Sequence, residues 1–497
     1  MTFNKTLLAF SITAFMLAAC GGSDNNGGGG QDLTGCPDVD TTKKVLKGDL
    51  NCDLTIEGEW NLEGVVNVGN GGKKLANTNE VADVKDNGYT LTIKPGTHIK
   101  ADNDGTLIVT RGSKLMAEGT KEAPITFSSK DDNFDGTGEW GGVVIQGFAP
   151  QNAAGTNQLC SGTEENPIIC NVKGEGGDDV AFFGGTDPAD NSGSLKYVRI
   201  TEGGKVAAAN NEINGLTLQG VGHGTQLSYI QVHGNLDDGI EWFGGTANAT
   251  KVVLTNNDDD DLDFDEGYQG HIQHALIIKN QNKDYPSGSN DPRAIEANSS
   301  DDEAVKATDA KLANITIIGS DMVRTDNDFD PQLTGEAKDL RKQPGMRLRG
   351  DLTVEISNSV VVDYHDCLRV DHGQDEMTTV TFNNVITGSC EDDTIVYKAT
   401  EATKMSDGSA TTGAIPTSTN NNLTHLDDGD VEPMLNAALA MSNANASFTA
   451  TDIAELDDRT EFTFENTGYA GAIDPAIDDA KDAWWYGWTI PGSTDIK

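Results

Sequence analysis

The sequence predicts an all-β fold of the solenoid class, a single elongated domain in which short strands stack coil upon coil. Three observations predict it. Short runs rich in β-branched residues, separated by Gly, Asn and Asp, continue from about Tyr89 onward with little helical patterning between them. Three of these runs, Leu227-Ser228-Tyr229-Ile230-Gln231-Val232, Thr250-Lys251-Val252-Val253-Leu254 and Ala275-Leu276-Ile277-Ile278, recur at about 23-residue intervals. An acidic segment repeats in the same phase, as Asp237-Asp238-Gly239-Ile240-Glu241-Trp242-Phe243-Gly244-Gly245 and as Asp258-Asp259-Asp260-Asp261-Leu262-Asp263-Phe264-Asp265-Glu266-Gly267. Gly239 and Leu262, like Asp237 and Asp260, are 23 residues apart. Close strand spacing without intervening helices excludes a doubly wound α/β sheet, and the period selects a solenoid over a sandwich, barrel or propeller.

At the amino terminus, Met1 to Lys5 is a short basic start, Thr6 to Met16 is mostly apolar, and Leu17-Ala18-Ala19-Cys20 ends the run at small residues. A spanning helix needs about 20 apolar residues, so this stretch is too short for one. The pattern resembles a bacterial lipoprotein signal. That resemblance implies removal of residues 1–19, lipidation of Cys20, and, from Gly21 after it, sorting to the outer membrane. Residues 20–35, with the run Gly27-Gly28-Gly29-Gly30, read as a flexible tether. The expected protein is an outer-membrane lipoprotein, facing the periplasm or the cell surface and held by lipid alone.

Residues 36–88 are expected to form an amino-terminal cap, 89–450 the coils with loop insertions, and 451–497 a carboxy-terminal cap. In the first coils Leu91-Thr92-Ile93 leads into the turn Pro95-Gly96. Leu107-Ile108-Val109, Leu115 and Ile125-Thr126-Phe127 follow, separated by turns at Gly112-Ser113 and Gly119-Thr120. Further rungs are expected over 194–200, 312–318, 352–362 and 377–386. One coil cannot bury its own apolar face, so the stack needs sealed ends, and the cluster around Trp485 is expected to seal the last. Asn256-Asn257, Asn383-Asn384 and Asn420-Asn421-Asn422 fit turns where Asn accepts a left-handed backbone.

Ile93-Lys94-Pro95-Gly96-Thr97, Gly112-Ser113-Lys114-Leu115-Met116-Ala117-Glu118-Gly119-Thr120 and Trp140-Gly141-Gly142-Val143-Val144-Ile145 resemble bacterial right-handed parallel β-helix lipoproteins of the pectin-lyase-like superfold. The segment 237–245 and the ending Gly471-Ala472-Ile473-Asp474-Pro475 with Trp484-Trp485-Tyr486-Gly487-Trp488-Thr489 resemble the same group. The resemblance spans roughly residues 45–490. It implies a right-handed parallel β-helix and a surface-exposed, polymer-binding role, but no reaction.

Besides Cys20, six cysteines stand at 36, 52, 160, 170, 367 and 390. Six allow 15 pairings; neighbours along the chain suggest Cys36 with Cys52, Cys160 with Cys170 and Cys367 with Cys390. No pair has zinc-type Cys-x-x-Cys spacing. Lys and Arg number 35 against 79 Asp and Glu, for a net charge of −44. Such a chain repels phosphate backbones, so no nucleic-acid partner is expected. It attracts cations, though a saline habitat accounts for the acidity equally well.

Stacking the two acidic segments superposes their carboxylates, which repel unless a cation lies between them. Asp237, Asp238 and Glu241 with Asp258, Asp260, Asp261, Asp263 and Asp265 are therefore the candidate Ca²⁺ ligands, since that ion takes about six to eight oxygens. The alternative is a solvated turn face. The superfold also contains lyases, in which a base removes the proton beside a uronate carboxylate; Arg347, Arg349 and Arg369 are the candidates here. Leu368-Arg369-Val370-Asp371-His372 resembles the pectate lyase Trp-x-Asp-His pattern without its tryptophan. Charge balance along a solenoid face accounts for these arginines as well. Gly222-His223-Gly224 precedes Asp237-Asp238, the reverse of the polygalacturonase order. Trp140 and Trp242 are candidates for stacking on sugar rings, against a packing role. Three readings of function follow: a Ca²⁺-containing binding protein for a polysaccharide or a nutrient-receptor partner, a Ca²⁺-dependent polysaccharide lyase, and an adhesive or structural stalk. Clustered Arg and carboxylates above a parallel sheet would favour the lyase, and exposed aromatics on a flat face would favour binding.

Overall fold

A computed structural model of the chain describes residues 32–131, 133–152, 169–174, 181–208, 211–280, 292–299, 307–320, 344–372, 378–390, 395–399, 421–426, 462–474, 476–477 and 480–495. Cys20 and the signal and tether up to residue 31 lie outside them. The fold is a right-handed parallel β-helix. Among the described residues twenty-four strands join in one sheet wound about a common axis, with every named pairing in it parallel. Among the described residues there is one α-helix, Thr78–Asp86, and no helix long and apolar enough to cross a membrane. Asn77 caps that helix by accepting from Glu80 N at 3.0 Å.

From residue 193 on, each coil is a long strand followed by a short one. Gln226–His233 and Ile240–Phe243 form one coil, Ala249–Thr255 and Leu262–Asp265 the next, and each strand pairs with its counterpart above. The long strands turn a corner at one left-handed residue per coil, in the column Tyr197, Tyr229, Lys251, His274, Asn314, Asn358 and Asn384, with φ between 48° and 61°. That residue occupies an extra position, so inward side chains are three apart across the corner, Leu227 then Ile230, before alternation resumes at Val232. Asparagine tolerates this conformation best. In the column Asn384 Nδ2 donates to Asn358 Oδ1 at 2.7 Å, and the Tyr197 and Tyr229 rings stack at 4.3 Å. Inward Leu, Ile, Val and Phe side chains build one continuous core from Cys36 to Val385.

Three expectations about the layout are corrected. The offset between the acidic coils is 22 residues, not 23: Ile240 pairs with Leu262, Glu241 with Asp263 and Phe243 with Asp265. A 23-residue offset would set Gly239 on Leu262 and turn core side chains outward, because strand faces alternate with period two. The ladder also begins inside the segment expected as a cap, with Val45–Leu50 already parallel to Glu59–Val68. The described residues around Trp485 do not seal the last coil but lie along the side of the helix. Ala472, Ile473, Ala483, Trp485 and Trp488 cover Val253, Leu276, Ile278, Ile318, Val360, Val362 and Ile386. These outward apolar residues come from strands such as His271–Ile278 that are buried on both faces, and so need a cover. Polar contacts fix the strap: Asn358 O accepts from Gly471 N at 2.7 Å, and Gln231 Oε1 from Ile490 N at 2.7 Å.

Disulfides join Cys36 to Cys52 and Cys367 to Cys390. The third expected pair includes Cys160, outside the described residues. Removing either bridge by a double Cys→Ser replacement is expected to cost about 2–4 kcal/mol. Urea midpoints unchanged from the parent would refute this.

Candidate cation site on the outer sheet face

The short strands place one outward column in register: Thr217, Glu241, Asp263, Glu296, Arg347 and Arg369. Their neighbours Ile240 and Trp242, Leu262 and Phe264, Ile295 and Ala297, Met346 and Leu348, and Leu368 and Val370 point into the core. Successive rungs lie about 4.8 Å apart, so three like charges stack directly before the column turns basic. Around it the turn carboxylates converge. Three sets each present oxygens within 4.8 Å of one another: Asp237, Asp238 and Asp259; Asp238, Glu241 and Asp263; Asp260, Asp263 and Glu296. Asp238 and Asp263 link the sets into one cluster.

Hydrogen bonds and ion pairs anchor its rim. Asp238 Oδ1 accepts from Asp260 N at 3.0 Å, and Asn214 Nδ2 donates to Glu241. Arg293 Nη1 lies 3.0 Å from Asp260 Oδ2 and 2.9 Å from Glu296 Oε2. Glu296 Oε1 also receives Arg347 Nη1 at 3.2 Å and Arg349 Nε at 2.8 Å. Asp371 takes Arg347 Nε and Arg369 Nε, each at 2.7 Å. Arg369 is buried, and the Arg347 and Arg349 side chains are 24% and 33% exposed.

Two electrostatic regimes result. Burial, reinforced by the surrounding carboxylates, pushes Asp238 and Asp263 well above the usual carboxylate range. Burial also pushes Asp260 up, against the opposing charge of Arg293. For Glu296, burial acts in the same direction but is outweighed by Arg293, Arg349 and Arg347, which bring it down to about 2.

The donor set suits a hard divalent cation. It consists of carboxylate oxygens alone, the preference of Ca²⁺, and oxygens sharing one ion at about 2.4 Å fall within the observed separations. Asp263 belongs to two of the sets, and its Oδ1 is buried without a hydrogen-bond partner. A buried carboxylate oxygen without a donor is accounted for by a proton or by a bound cation.

Of the acids singled out in the sequence, Asp237, Asp238, Glu241, Asp260 and Asp263 come together. The other three do not. Asp261 is fully buried, with Lys279 Nζ 2.8 Å from Oδ2 and Asn257 Nδ2 2.8 Å from Oδ1. Asp265 accepts from Glu266 N and from Asn298 Nδ2 at 3.2 Å. Asp258 is fully buried outside the three sets. Asp259, Glu296 and Arg293 belong to the cluster without having been singled out. For Glu296 the only signal is one acid in the apolar run 294–297, and the 33 residues between Asp263 and Glu296 put it out of phase with the repeat.

The tryptophans require a correction. Trp140 and Trp242 are both 0% exposed, so neither can stack on a sugar. Trp242 faces inward because Glu241 faces out, with its ring 5.5 Å from Tyr268, and Trp140 Nε1 donates to Thr201 O at 2.7 Å.

A family model described as a pectate-lyase like beta helix domain matches residues 78–435, more than half of the 497-residue chain. The chain belongs to this family. No curated protein and no solved structure matches it. In this pectate-lyase-like β-helix the described coils begin before the matched region, at Val45, and the strap at 462–495 lies after it. The acidic cluster and the arginines both fall within the matched residues.

Proposed function

We propose that this β-helix binds an acidic polysaccharide through Ca²⁺ and arginine on the outer face of its short-strand sheet, and that it is tethered to the outer membrane by lipid on Cys20. One observation carries the binding reading: in a single outward column the three stacked acids Glu241, Asp263 and Glu296 are followed directly by Arg347 and Arg369. Bound Ca²⁺ would supply positive charge shared between this face and ligand carboxylates. Glu241, Asp263, Asp238 and Glu296 would hold the ion, and Arg347 and Arg349, the partly exposed members of the basic group, would receive the next carboxylate along the polymer.

Binding is preferred to cleavage because each arginine is committed to a carboxylate. Arg349 is held in its charged form more firmly than usual: burial opposes this, but Glu296 and then Asp263 and Asp265 outweigh it. A base must instead give up its proton. The lyase is the second reading, favoured by the same clustering of arginine and carboxylate over a parallel sheet. Calorimetric titration with polygalacturonate should show binding with Ca²⁺ and none with chelator, and Arg349→Ala should weaken it about tenfold, roughly 1.4 kcal/mol. Equal binding with and without chelator overturns the proposal. Growth of ultraviolet absorbance from unsaturated uronate ends during the same titration would establish the second reading.

A further inference from the structure

A second group of acids, sharing no residue with the first cluster, lies at the corner after the strand Ile125–Ser129, on a turn that runs beside the first through Leu236 N donating to Gly203 O at 3.0 Å. Asp131, Glu139 and Glu202 each present a carboxylate oxygen, and the three oxygens lie within 4.8 Å of one another. Asp131 is exposed, Glu139 half-buried and Glu202 fully buried. Two neighbouring coils supply them. Glu202 follows the strand Gly193–Thr201, whose Ile200 pairs with Phe127, and the loop carrying Glu139 is pinned to it by Glu139 N donating to Glu202 O at 2.9 Å and Gly138 N to Gly203 O at 2.7 Å.

The polar accounting is incomplete at one atom. Glu202 Oε2 accepts from Ser129 N at 3.3 Å, with Ser129 Oγ at 3.2 Å and Thr201 Oγ1 at 3.4 Å. Ser129 Oγ also lies 2.7 Å from Asp131 Oδ1, so the same hydroxyl joins two of the acids. Glu202 Oε1 is buried and accepts from nothing. None of the ion pairs among the described residues involves any of the three acids. A charged buried oxygen without a donor costs about 1–3 kcal/mol or more, so Glu202, with two further carboxylates beside it, needs a proton or a cation. Burial, and next the Glu139 carboxylate, pushes Glu202 up. The backbone makes room for the arrangement: a Cβ on Gly136 would meet Glu139 Oε1 at 2.0 Å, so glycine lets that carboxylate lie against the chain.

We propose that Asp131, Glu139 and Glu202 form a second Ca²⁺ site, one that staples the loop before Val143 to the coil ending at Thr201. All three donors are hard oxygens, two of them on an irregular loop, which suits the adaptable coordination of Ca²⁺ better than the strict octahedron of Mg²⁺. This site does not depend on the function proposed above.

Equilibrium dialysis against Ca²⁺ counts bound ions per chain in the parent, Glu139→Gln and Asp131→Asn, with Asp263→Asn reporting on the first site. Glu139→Gln and Asp131→Asn are each expected to lose one equivalent while keeping the parent's circular dichroism, and Asp263→Asn is expected to keep that equivalent. Gly136→Ala, which retains every carboxylate, should weaken the same equivalent by displacing Glu139. Unchanged counts in both Glu139→Gln and Asp131→Asn overturn the proposal whatever Asp263→Asn does.

Discussion

Replacing Lys279 by alanine is expected to destabilise the protein by about 3–5 kcal/mol, the usual cost of leaving one member of a buried ion pair alone. Lys279 and Asp261 have fully buried side chains, and the Lys279 ammonium also donates to the backbone carbonyls of Asp259 at 2.6 Å and Asn257 at 3.3 Å. It therefore holds the acidic turn in place from beneath. Burial raises the Asp261 pKa, against the charge of Lys279, so removing the lysine raises it further. The sign follows: the fold favours the protonated acid, so Asp261 contributes stability below its unfolded value of about 3.8 that is lost as pH rises through the folded value. The variant's deficit should accordingly shrink on acidification. A double replacement, Lys279→Met with Asp261→Leu, should recover most of the loss, since apolar residues of similar volume often replace a buried pair at little cost. Urea unfolding at several pH values measures both, and a Lys279→Ala midpoint equal to the parent's would refute the expectation.

Saturating Ca²⁺ is expected to raise stability by about 2.7 kcal/mol at a hundredfold excess over Kd, and the gain should grow with pH. Asp238, Asp260 and Asp263 all have raised folded-state pKa values. Their contribution is complete below about 3.8 and declines as pH rises through the folded values, so without a cation neutrality is unfavourable for this cluster. Ca²⁺ requires the deprotonated acids and relieves that penalty. Glu296 has the opposite sign: its contribution is complete above its ordinary 4.5 and is lost as pH falls through about 2. The relief on acidification should therefore be opposed below about pH 4.5, where the Glu296 contribution begins to be lost. Melting temperatures with Ca²⁺ and with chelator, compared between the parent and Asp263→Asn, isolate the cluster from the other carboxylates. A Ca²⁺ gain that is equal in the two proteins, or does not change with pH, would refute this assignment.

The coil pattern was legible because a repeating fold writes its period into the chain. Runs such as Leu227 to Val232 and Thr250 to Leu254 show strand, turn and repeat together, and the acidic turns share their phase. The exact register was harder to read. Aligning acids by composition gives 23 residues, while the hydrogen-bonded ladder chooses 22 because only then do Trp242 and Phe264 both face the core. The same alternation explains why aromatic residues that look suited to a sugar are interior packing.

What the sequence determined by itself is the class of fold, its elongated stacking, and the candidate site's central carboxylates Asp238, Glu241 and Asp263, while of the disulfides it suggested pairings that the structure decided for Cys36–Cys52 and Cys367–Cys390. Those features are local or periodic. Tertiary structure alone decided that Glu296 and Arg293, beyond a long insertion, complete the cluster, and that Lys279 withdraws Asp261 from it. It alone decided that Glu202 meets Asp131 and Glu139, and that the Trp485 segment straps the side of the helix instead of closing its end. Each of these depends on which residues a parallel ladder sets one rung apart, and insertions of unequal length between strands remove that spacing from the linear chain.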